Sequence, residues 1–267
     1  MLTYPQIDPV AIALGPLKVH WYGLTYLMGF SLAWFLAKRR SRRSDLVVRE
    51  HQVDDLIFYG AMGVVLGARI GYVLFYKMSD FLAEPMMIIR VWEGGMSFHG
   101  GFLGVIIAMM LYCRKIQQKF LDVMDFVAPF VPVGLFFGRM GNFIGAELYG
   151  RAADVPWAMV FPTDAEHLPR HPSQLYEAGL EGILIFIILF VWYSAKPRPR
   201  GAVCSLFVFL YGCFRFFVEF FRQPDAHINF EWFGWMSRGQ ELCLPMILIG
   251  GGVFIWSYLA ASGRKST

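Results

Sequence analysis

A backbone that crosses lipid has no water to satisfy its N–H and C=O groups, so each crossing must pair them internally as a helix or a closed barrel. This chain carries seven apolar runs, most of them about 20 residues long, enough for helices to span a hydrocarbon core of about 30 Å. The runs cover residues 17–37, 56–76, 97–112, 123–143, 176–193, 203–221 and 241–261. The third is short, and either extends back into GGMSF or lies partly re-entrant. Only 16% of the residues are charged, against about 25% in an ordinary soluble domain. The sequence therefore predicts an all-α integral membrane protein of seven transmembrane helices. It forms a single polytopic domain over 1–267 with a small extracytoplasmic head at 144–175.

Charge placement sets the orientation. With the N-terminus outside, the inward loops hold Lys38, Arg39, Arg40, Arg42, Arg43 and Arg49, then Arg114, Lys115 and Lys119, then Lys196, Arg198 and Arg200, and finally Arg264 and Lys265. These are 14 of the 24 Lys and Arg residues, and every inward loop is basic, as cytoplasmic loops are. An odd number of spans leaves the C-terminus in the cytoplasm. The cluster KRRSRR follows the first run, opposite to the charge order of a cleaved signal peptide, so that run reads as an anchor. The net charge of +4 is thus a topology signal and not a nucleic-acid footprint. Trp21, Trp92, Trp192, Trp232 and Trp235 fall near span ends as interfacial anchors. The segment before the first span, rich in apolar residues and proline, is expected to lie along the outer interface.

The four cysteines, Cys113, Cys204, Cys213 and Cys243, lie in or at the ends of apolar runs without CxxC spacing or a His cluster. They read as small buried hydrophobes, and neither a metal nor a disulfide framework is expected. Residues 144–175 contain Pro156, Pro162, Pro169 and Pro172 and little helical periodicity, which is why they read as a head.

Several polar groups sit where lipid should be. The stretch GRMGNFIGAELYGR, 138–151, ends the fourth run with Arg139, Asn142, Glu147, Tyr149 and Arg151 among glycines. Glycine permits close backbone approach to a ligand, and arginine grips phosphate bidentately. A tightly packed polar helix end is the alternative. In the sixth run Tyr211, Arg215, Glu219 and Arg222 are spaced by 4, 4 and 3 residues. At about 100° per residue they share one helix face, which keeps one uncompensated positive charge. Arg69 has no acid one turn away. Glu177 and Glu181, four residues apart in the fifth run, offer carboxylates for Arg69 and Arg139. Asp125, near the cytoplasmic side, reads as interfacial. His99 in GGMSFHGG, His171 in PRHPSQLYE, and His20 with Tyr22 all fall at outward ends of their runs. The chain has no GxSxG, HExxH or Walker loop. From the residues alone, this is an outward-facing site for a phosphate-bearing lipid with His, Tyr and Glu available to move protons. The reaction type is left open between an enzyme, a phospholipid binding or transport protein, and a polyprenyl-phosphate phosphatase.

The chain closely resembles the bacterial prolipoprotein diacylglyceryl transferases along nearly its whole length. The shared blocks are HWYG, GARIGYVLFY, VWEGGMSFHGG, GRMGNFIGAELYGR, RHPSQLYE and YGCFRFFVEFFRQPD. The family pattern GRxGNFxxxExxGR is met at Gly138, Arg139, Gly141, Asn142, Phe143, Glu147, Gly150 and Arg151, and the segment 156–169 looks short. The resemblance implies a bacterial inner-membrane enzyme with its active site on the periplasmic side. It would move the diacylglyceryl group of phosphatidylglycerol to the lipobox cysteine of a preprolipoprotein signal peptide, releasing glycerol 1-phosphate, with no cofactor. It carries over Tyr22, His99, Arg139, Arg215, Glu219 and Tyr211 as catalytic residues. The residues expected to bind phosphatidylglycerol are Arg139, Asn142, Glu147, Gly150, His171, Arg215 and Arg222. On that expectation Arg139 and Arg215 clamp the phosphate, Asn142 and the N–H groups around Gly141 and Gly150 orient it, and His99 or Glu219 takes the thiol proton.

Overall fold

The computed structural model describes residues 2–5, 7–15, 17–91, 94–223 and 235–263. Trp92, Trp232, Pro224, Asp225, Arg264 and Lys265, used above for anchoring, topology and the family blocks, lie outside the described residues. In chain order the elements are β1 (Val10–Leu14), β2 (Leu17–His20), α1 (Trp21–Arg40), α2 (Val53–Tyr76), α3 (Met78–Ala83), α4 (Phe98–Lys115), α5 (Phe120–Val127) and α6 (Val131–Ile144). They continue with β3 (Met159–Val160), β4 (Pro169–Arg170), α7 (Ser173–Glu177), α8 (Ala202–Val218) and α9 (Arg238–Gly263).

Each of the seven apolar runs contains helix, and four helical stretches are long and apolar enough to cross a membrane: Glu50–Tyr76, Phe120–Ile144, Ser173–Ala195 and Arg238–Gly263. The chain is a multi-pass membrane protein. Its helices leave bulky apolar side chains uncovered, among them Phe75, Trp192 and Leu248, and only 17% of the apolar window of α9 is covered by protein. A water-soluble chain could not carry that much exposed apolar surface.

The structure departs from the purely helical expectation in two places. Residues 17–20 are not the start of a helix but β2, paired antiparallel with β1. The segment 144–175 contains the second hairpin, β3 against β4. The fourth run is also interrupted: Ala128–Phe130 forms a tight turn between α5 and α6, where Pro129 and Pro132 cannot donate backbone hydrogen bonds. The fifth run starts as α7 and widens into π turns at Ala178–Leu184 and Ile187–Trp192.

Two compact units can be distinguished, residues 37–123 and residues 1–36 with 124–267. In the first, α2 and α4 pack through small residues, which let helix backbones approach. A Cβ on Gly67 would stand 2.7 Å from the Cα of Gly104. Ser97 caps α4 by accepting from the N–H of Gly100 at 3.2 Å. Arg69, buried in α2, donates to the carbonyls of Met87, Ile88, Gly94 and Gly95. It is satisfied by carbonyls and not by the glutamates proposed from the sequence.

In the second unit the N-terminal segment is pinned into the protein. The Tyr4 hydroxyl donates to the carbonyl of Phe143 at 2.6 Å, and its ring joins Phe143, Ala146, Met159 and Phe161 in a small apolar core. Asp164 organises the segment 144–175. It receives Arg170 through two guanidinium nitrogens at 2.5 and 2.9 Å and the N–H groups of Glu166 and Leu168. At the other end, Asp125 accepts from the N–H groups of Gly201 and Cys204 at 2.6 and 2.8 Å. It caps the start of α8.

The Arg170 guanidinium beside Asp164 holds its carboxyl down to about 2, below the ordinary 3.8. A depressed carboxylate pKa stabilises the fold above the unfolded value and loses that contribution as pH falls through the folded one. Protease nicking of the segment 144–175 in the intact protein should therefore be unchanged down to about pH 4 and increase between about pH 4 and 2. Asp164→Asn should show the increase already at neutral pH. Equal nicking of variant and parent at neutral pH would remove Asp164 as the organiser.

Candidate functional site

The C-terminal ends of α6 and α8 meet α7, the π turn after it and the N-terminal end of α9; α9 contributes a serine hydroxyl and the others charge. Arg139 comes from the last turns of α6, Glu177 ends α7, Glu181 lies in the first π turn, and Arg215 and Glu219 end α8. Glu177 Oε2 lies 2.5 Å from Arg139 Nε and 3.3 Å from Arg215 Nη1. Arg215 Nη2 pairs with Glu219 Oε2 at 2.9 Å, and Arg215 Nη1 stands 4.0 Å from Glu181. Arg222 reaches Glu219 Oε2 at 4.0 Å. Glu177 and Glu181 are 0% exposed, yet none of their four carboxylate oxygens has an aligned hydrogen bond. Nearness alone, without directed bonds, holds these ions.

Glu219 is positioned by the chain that follows it. Ser237 and Gln240 form a reciprocal capping box at the start of α9, with Ser237 N–H donating to Gln240 Oε1 and Gln240 N–H to Ser237 Oγ. The freed Ser237 hydroxyl proton is donated to Glu219 Oε1 at 3.1 Å. A helix N-terminus carries partial positive charge, so the SRGQ sequence builds a second, non-arginine support for this carboxylate. A Cβ at Gly239 would sit 2.6 Å from the same group.

Beside the cluster runs a strained loop. Ala146 and Leu148 both adopt left-handed φ, 52° and 57°, a cost of order 1–3 kcal/mol each for non-glycine residues that neighbours must offset. The offsets are visible around Glu147. Its N–H donates to the Asn142 carbonyl at 3.0 Å, its carbonyl accepts from Gln174 at 2.7 Å, and its side chain accepts from Asn142 Nδ2 at 2.8 Å. The loop thus presents an exposed Glu147 on a fixed backbone.

Further on, Gly150, Arg151, His171, Phe221 and Arg222 are stitched by main-chain bonds. Gly150 N–H donates to the His171 carbonyl at 2.8 Å and Arg151 N–H to the Phe221 carbonyl at 2.9 Å. Arg151 Nε donates to the Arg222 carbonyl at 2.8 Å.

A scan against family profiles matches residues 9–256 to the one described as prolipoprotein diacylglyceryl transferase. The chain belongs to that family. Among curated proteins it is 59% identical to the phosphatidylglycerol–prolipoprotein diacylglyceryl transferase of Teredinibacter turnerae, over 97% of this chain and 93% of the relative. It is 59% identical to the protein of that name from Acinetobacter baylyi, over 99% and 96%. The Coxiella burnetii protein is 58% identical over 97% and 98%.

Of the residues predicted from the sequence, the structure gathers Arg139, Arg215, Glu219 and Arg222 in one ionic cluster. Tyr211 packs in α8 against Phe207, within electrostatic reach of Glu181 and Arg215. Tyr22 hydrogen-bonds Tyr26 at 3.1 Å, within reach of Glu147 and Arg139. Asn142 is joined to Glu147, Gly150 forms an isolated bridge with Arg222, and His171 bonds the backbone of Gly150 and Arg151. His99 belongs to the unit 37–123, where it lies exposed in the first turn of α4 with Phe98 edge-on at 5.7 Å.

Two expectations are corrected. The Tyr211–Arg222 face keeps no surplus positive charge, because Glu177 and Glu181 join Glu219 opposite three arginines. The N–H of Gly150 is occupied by His171, so this glycine serves close packing and not donation. Arg151, Ser237 and Gly239 were not singled out for these roles, and only the S-x-x-Q spacing of Ser237 and Gln240 could have signalled one of them.

A Cβ on Gly150 would meet His171 Cβ at 2.8 Å and crowd the Phe221 carbonyl. Gly150→Ala should cost about 1–3 kcal/mol, as overpacking does, and lower the melting temperature in detergent. Unchanged melting would show that the crossing tolerates a methyl group and has no need of glycine.

Proposed function

We propose that the arginine cluster is the headgroup site for phosphatidylglycerol in a reaction that transfers its diacylglyceryl group to the lipobox cysteine thiol of a preprolipoprotein, the first step of lipoprotein maturation. The observation that carries this reading is the state of Arg139. Glu177 stands 2.5 Å from its Nε, and among the described residues no hydrogen bond is made by its two terminal nitrogens. A guanidinium anchored at one edge with a free fork is preset to grip two phosphoryl oxygens. Arg215, held by Glu177 and Glu219, completes the clamp, with Arg222 at its rim.

The chemistry then follows. The cysteine S–H loses its proton to a base, and the thiolate sulfur attacks the glycerol carbon that carries the phosphate ester. The C–O bond breaks, a thioether forms, and the electron pair leaves on the phosphoryl oxygen of glycerol 1-phosphate. Arginines fixed in a low-dielectric site stabilise that departing charge. Glu219 is a poor base here, since Arg215 and the Ser237 hydroxyl hold both its oxygens. The family resemblance carries over His99, an exposed side chain in the first turn of α4, as the other candidate base. Tyr22, Tyr211, Asn142 and Glu147 shape and orient the headgroup, and Gly150 lets its wall close. The reaction as written calls for no metal or soluble cofactor.

The same reading places the protein in the bacterial inner membrane with seven spans, α1, α4 and α8 being the three besides the four long apolar stretches. The N-terminus lies outside, the C-terminus is cytoplasmic, and residues 144–175 form a periplasmic head. Its support is the basic inward loops, together with an ionic cluster at the helix ends opposite to them.

Arg139→Ala and Arg215→Ala should each lower transfer at least about 100-fold, as loss of a preorganised charge donor does, while the protein still folds and inserts. Arg139→Lys should fall between, keeping charge and losing the fork. The assay follows labelled phosphatidylglycerol onto a lipobox peptide as a hydrolysis-resistant lipid adduct, a product that neither a transporter nor a phosphatase would make. Near-normal turnover in either alanine variant would end the clamp.

His99→Gln should abolish the rise of activity with pH that titration of a base produces. A variant that keeps most activity and the parent's profile from pH 6 to 8 would leave His99 a structural residue.

A further inference from the structure

Trp157, outside the sequence motifs read above, and Tyr176, within RHPSQLYE but given no role there, determine what His171 can do. Trp157 Nε1 donates to the Tyr176 hydroxyl oxygen at 2.7 Å, and an indole N–H can only donate. The same Tyr176 oxygen lies 3.0 Å from His171 Nδ1. With the tryptophan proton already on its oxygen, Tyr176 has its own hydroxyl proton to place, and His171 Nδ1 is its partner among the described residues. A ring nitrogen that accepts a proton donor carries no proton of its own, so the neutral imidazole must bear its hydrogen on Nε2. The opposite arrangement, with Nδ1–H donating, would put two donors on one phenolic oxygen and leave the tyrosine proton without an acceptor among the described residues.

The rest of the surroundings fixes the ring in that role. Phe221 and Tyr176 stand edge-on to the imidazole at 5.1 and 5.8 Å. The His171 main chain is held on both sides, its carbonyl by Gly150 N–H at 2.8 Å and its N–H by the Arg151 carbonyl at 3.0 Å. Burial also works against the imidazolium, pushing the His171 pKa below 6.5. The result is a half-buried neutral histidine whose Nε2–H has no acceptor among the described residues, beside the isolated bridge between Gly150 and Arg222.

We propose that Trp157 and Tyr176 are positioning residues that lock His171 as the Nε2–H tautomer, so that it donates a neutral hydrogen bond to a phosphate ester bound at the arginine cluster. The tautomer stands on geometry alone, while the donation rests on the headgroup reading above. A neutral donor supplies direction at a place where three arginines already balance three carboxylates.

The test uses the full-length protein in detergent, labelled with ¹⁵N-histidine. Its side-chain nitrogens are read by NMR near pH 7.5, with His171 picked out from the six histidines by His171→Gln. Wild type should show His171 Nδ1 as the unprotonated, pyridine-type nitrogen and Nε2 as the protonated, pyrrole-type one. Tyr176→Phe removes the proton donor and should yield mixed tautomers. Trp157→Phe frees the tyrosine oxygen and should shift the mixture in the same direction by less. Transfer by Tyr176→Phe should fall about tenfold in kcat/KM, the size of one hydrogen bond, with most of the change in KM. A protonated Nδ1 in wild type overturns the tautomer, and an unchanged tautomer in Tyr176→Phe overturns the positioning. Full transfer by His171→Phe alongside a dead Arg139→Ala ends the donor role but leaves the clamp standing. Full transfer by both ends the headgroup reading itself.

Discussion

Everything in this site depends on three carboxylates kept from water by three arginines. Burying an ion costs several kcal/mol even after relaxation, and its partner repays that only in good geometry. Glu177 and Glu181 are fully buried without an aligned hydrogen bond, and the arginines are the nearest countercharges. A carboxylate that lost its arginine could stay buried by taking up a proton. The cluster therefore both joins α6, α7, α8 and α9 and remains unfinished: it is neutral overall but under-bonded locally. On the headgroup reading proposed above, an incoming phosphate would supply the directed oxygens that the glutamates do not, so partners could exchange without dismantling the fold.

The supports differ in kind. Glu219 is held by an arginine and by a serine hydroxyl at the start of a helix, Glu147 by a loop whose two flanking residues adopt left-handed backbone, and His171 by a tyrosine and a tryptophan. Apart from the arginine, each support comes from a residue outside the cluster. Preorganisation of this sort stabilises developing charge better than a mobile site, because nothing has to reorient when the bond breaks.

The sequence made the apolar runs legible, since hydrophobic length is a direct physical requirement of lipid. It also made legible that Tyr211, Arg215, Glu219 and Arg222 share a face, because helical spacing dictates that. It could not say which helix that face meets. Glu177 and Glu181 were visible as acids one turn apart, but whether they serve Arg69 or Arg139 depends on packing between elements far apart in sequence. Arg69 turned to carbonyl oxygens, Arg139 to Glu177, and Arg215 took the remainder. The strained Ala146 and Leu148 were invisible for another reason: neither residue type announces a left-handed backbone, and only tertiary contacts impose it. The hairpin at residues 10–20 was hidden by its own apolar character, which strand and span share.

The latch at the start of α8 has a consequence for depth. Asp125 ties one end of this 17-residue helix, and Ser237 and Arg151 tie the other through Glu219, so α8 acts as a strut of fixed length. At 1.5 Å per residue it measures about 26 Å, a few ångströms less than the hydrocarbon it has to match. Arg215 lies one turn short of its end. On the seven-span reading proposed above, the arginines would lie below the plane where lipid phosphates normally rest, and a substrate would have to sink out of its hydrated layer to reach them. A helix tied at both ends would then fix how far from the opposite face bond breaking takes place.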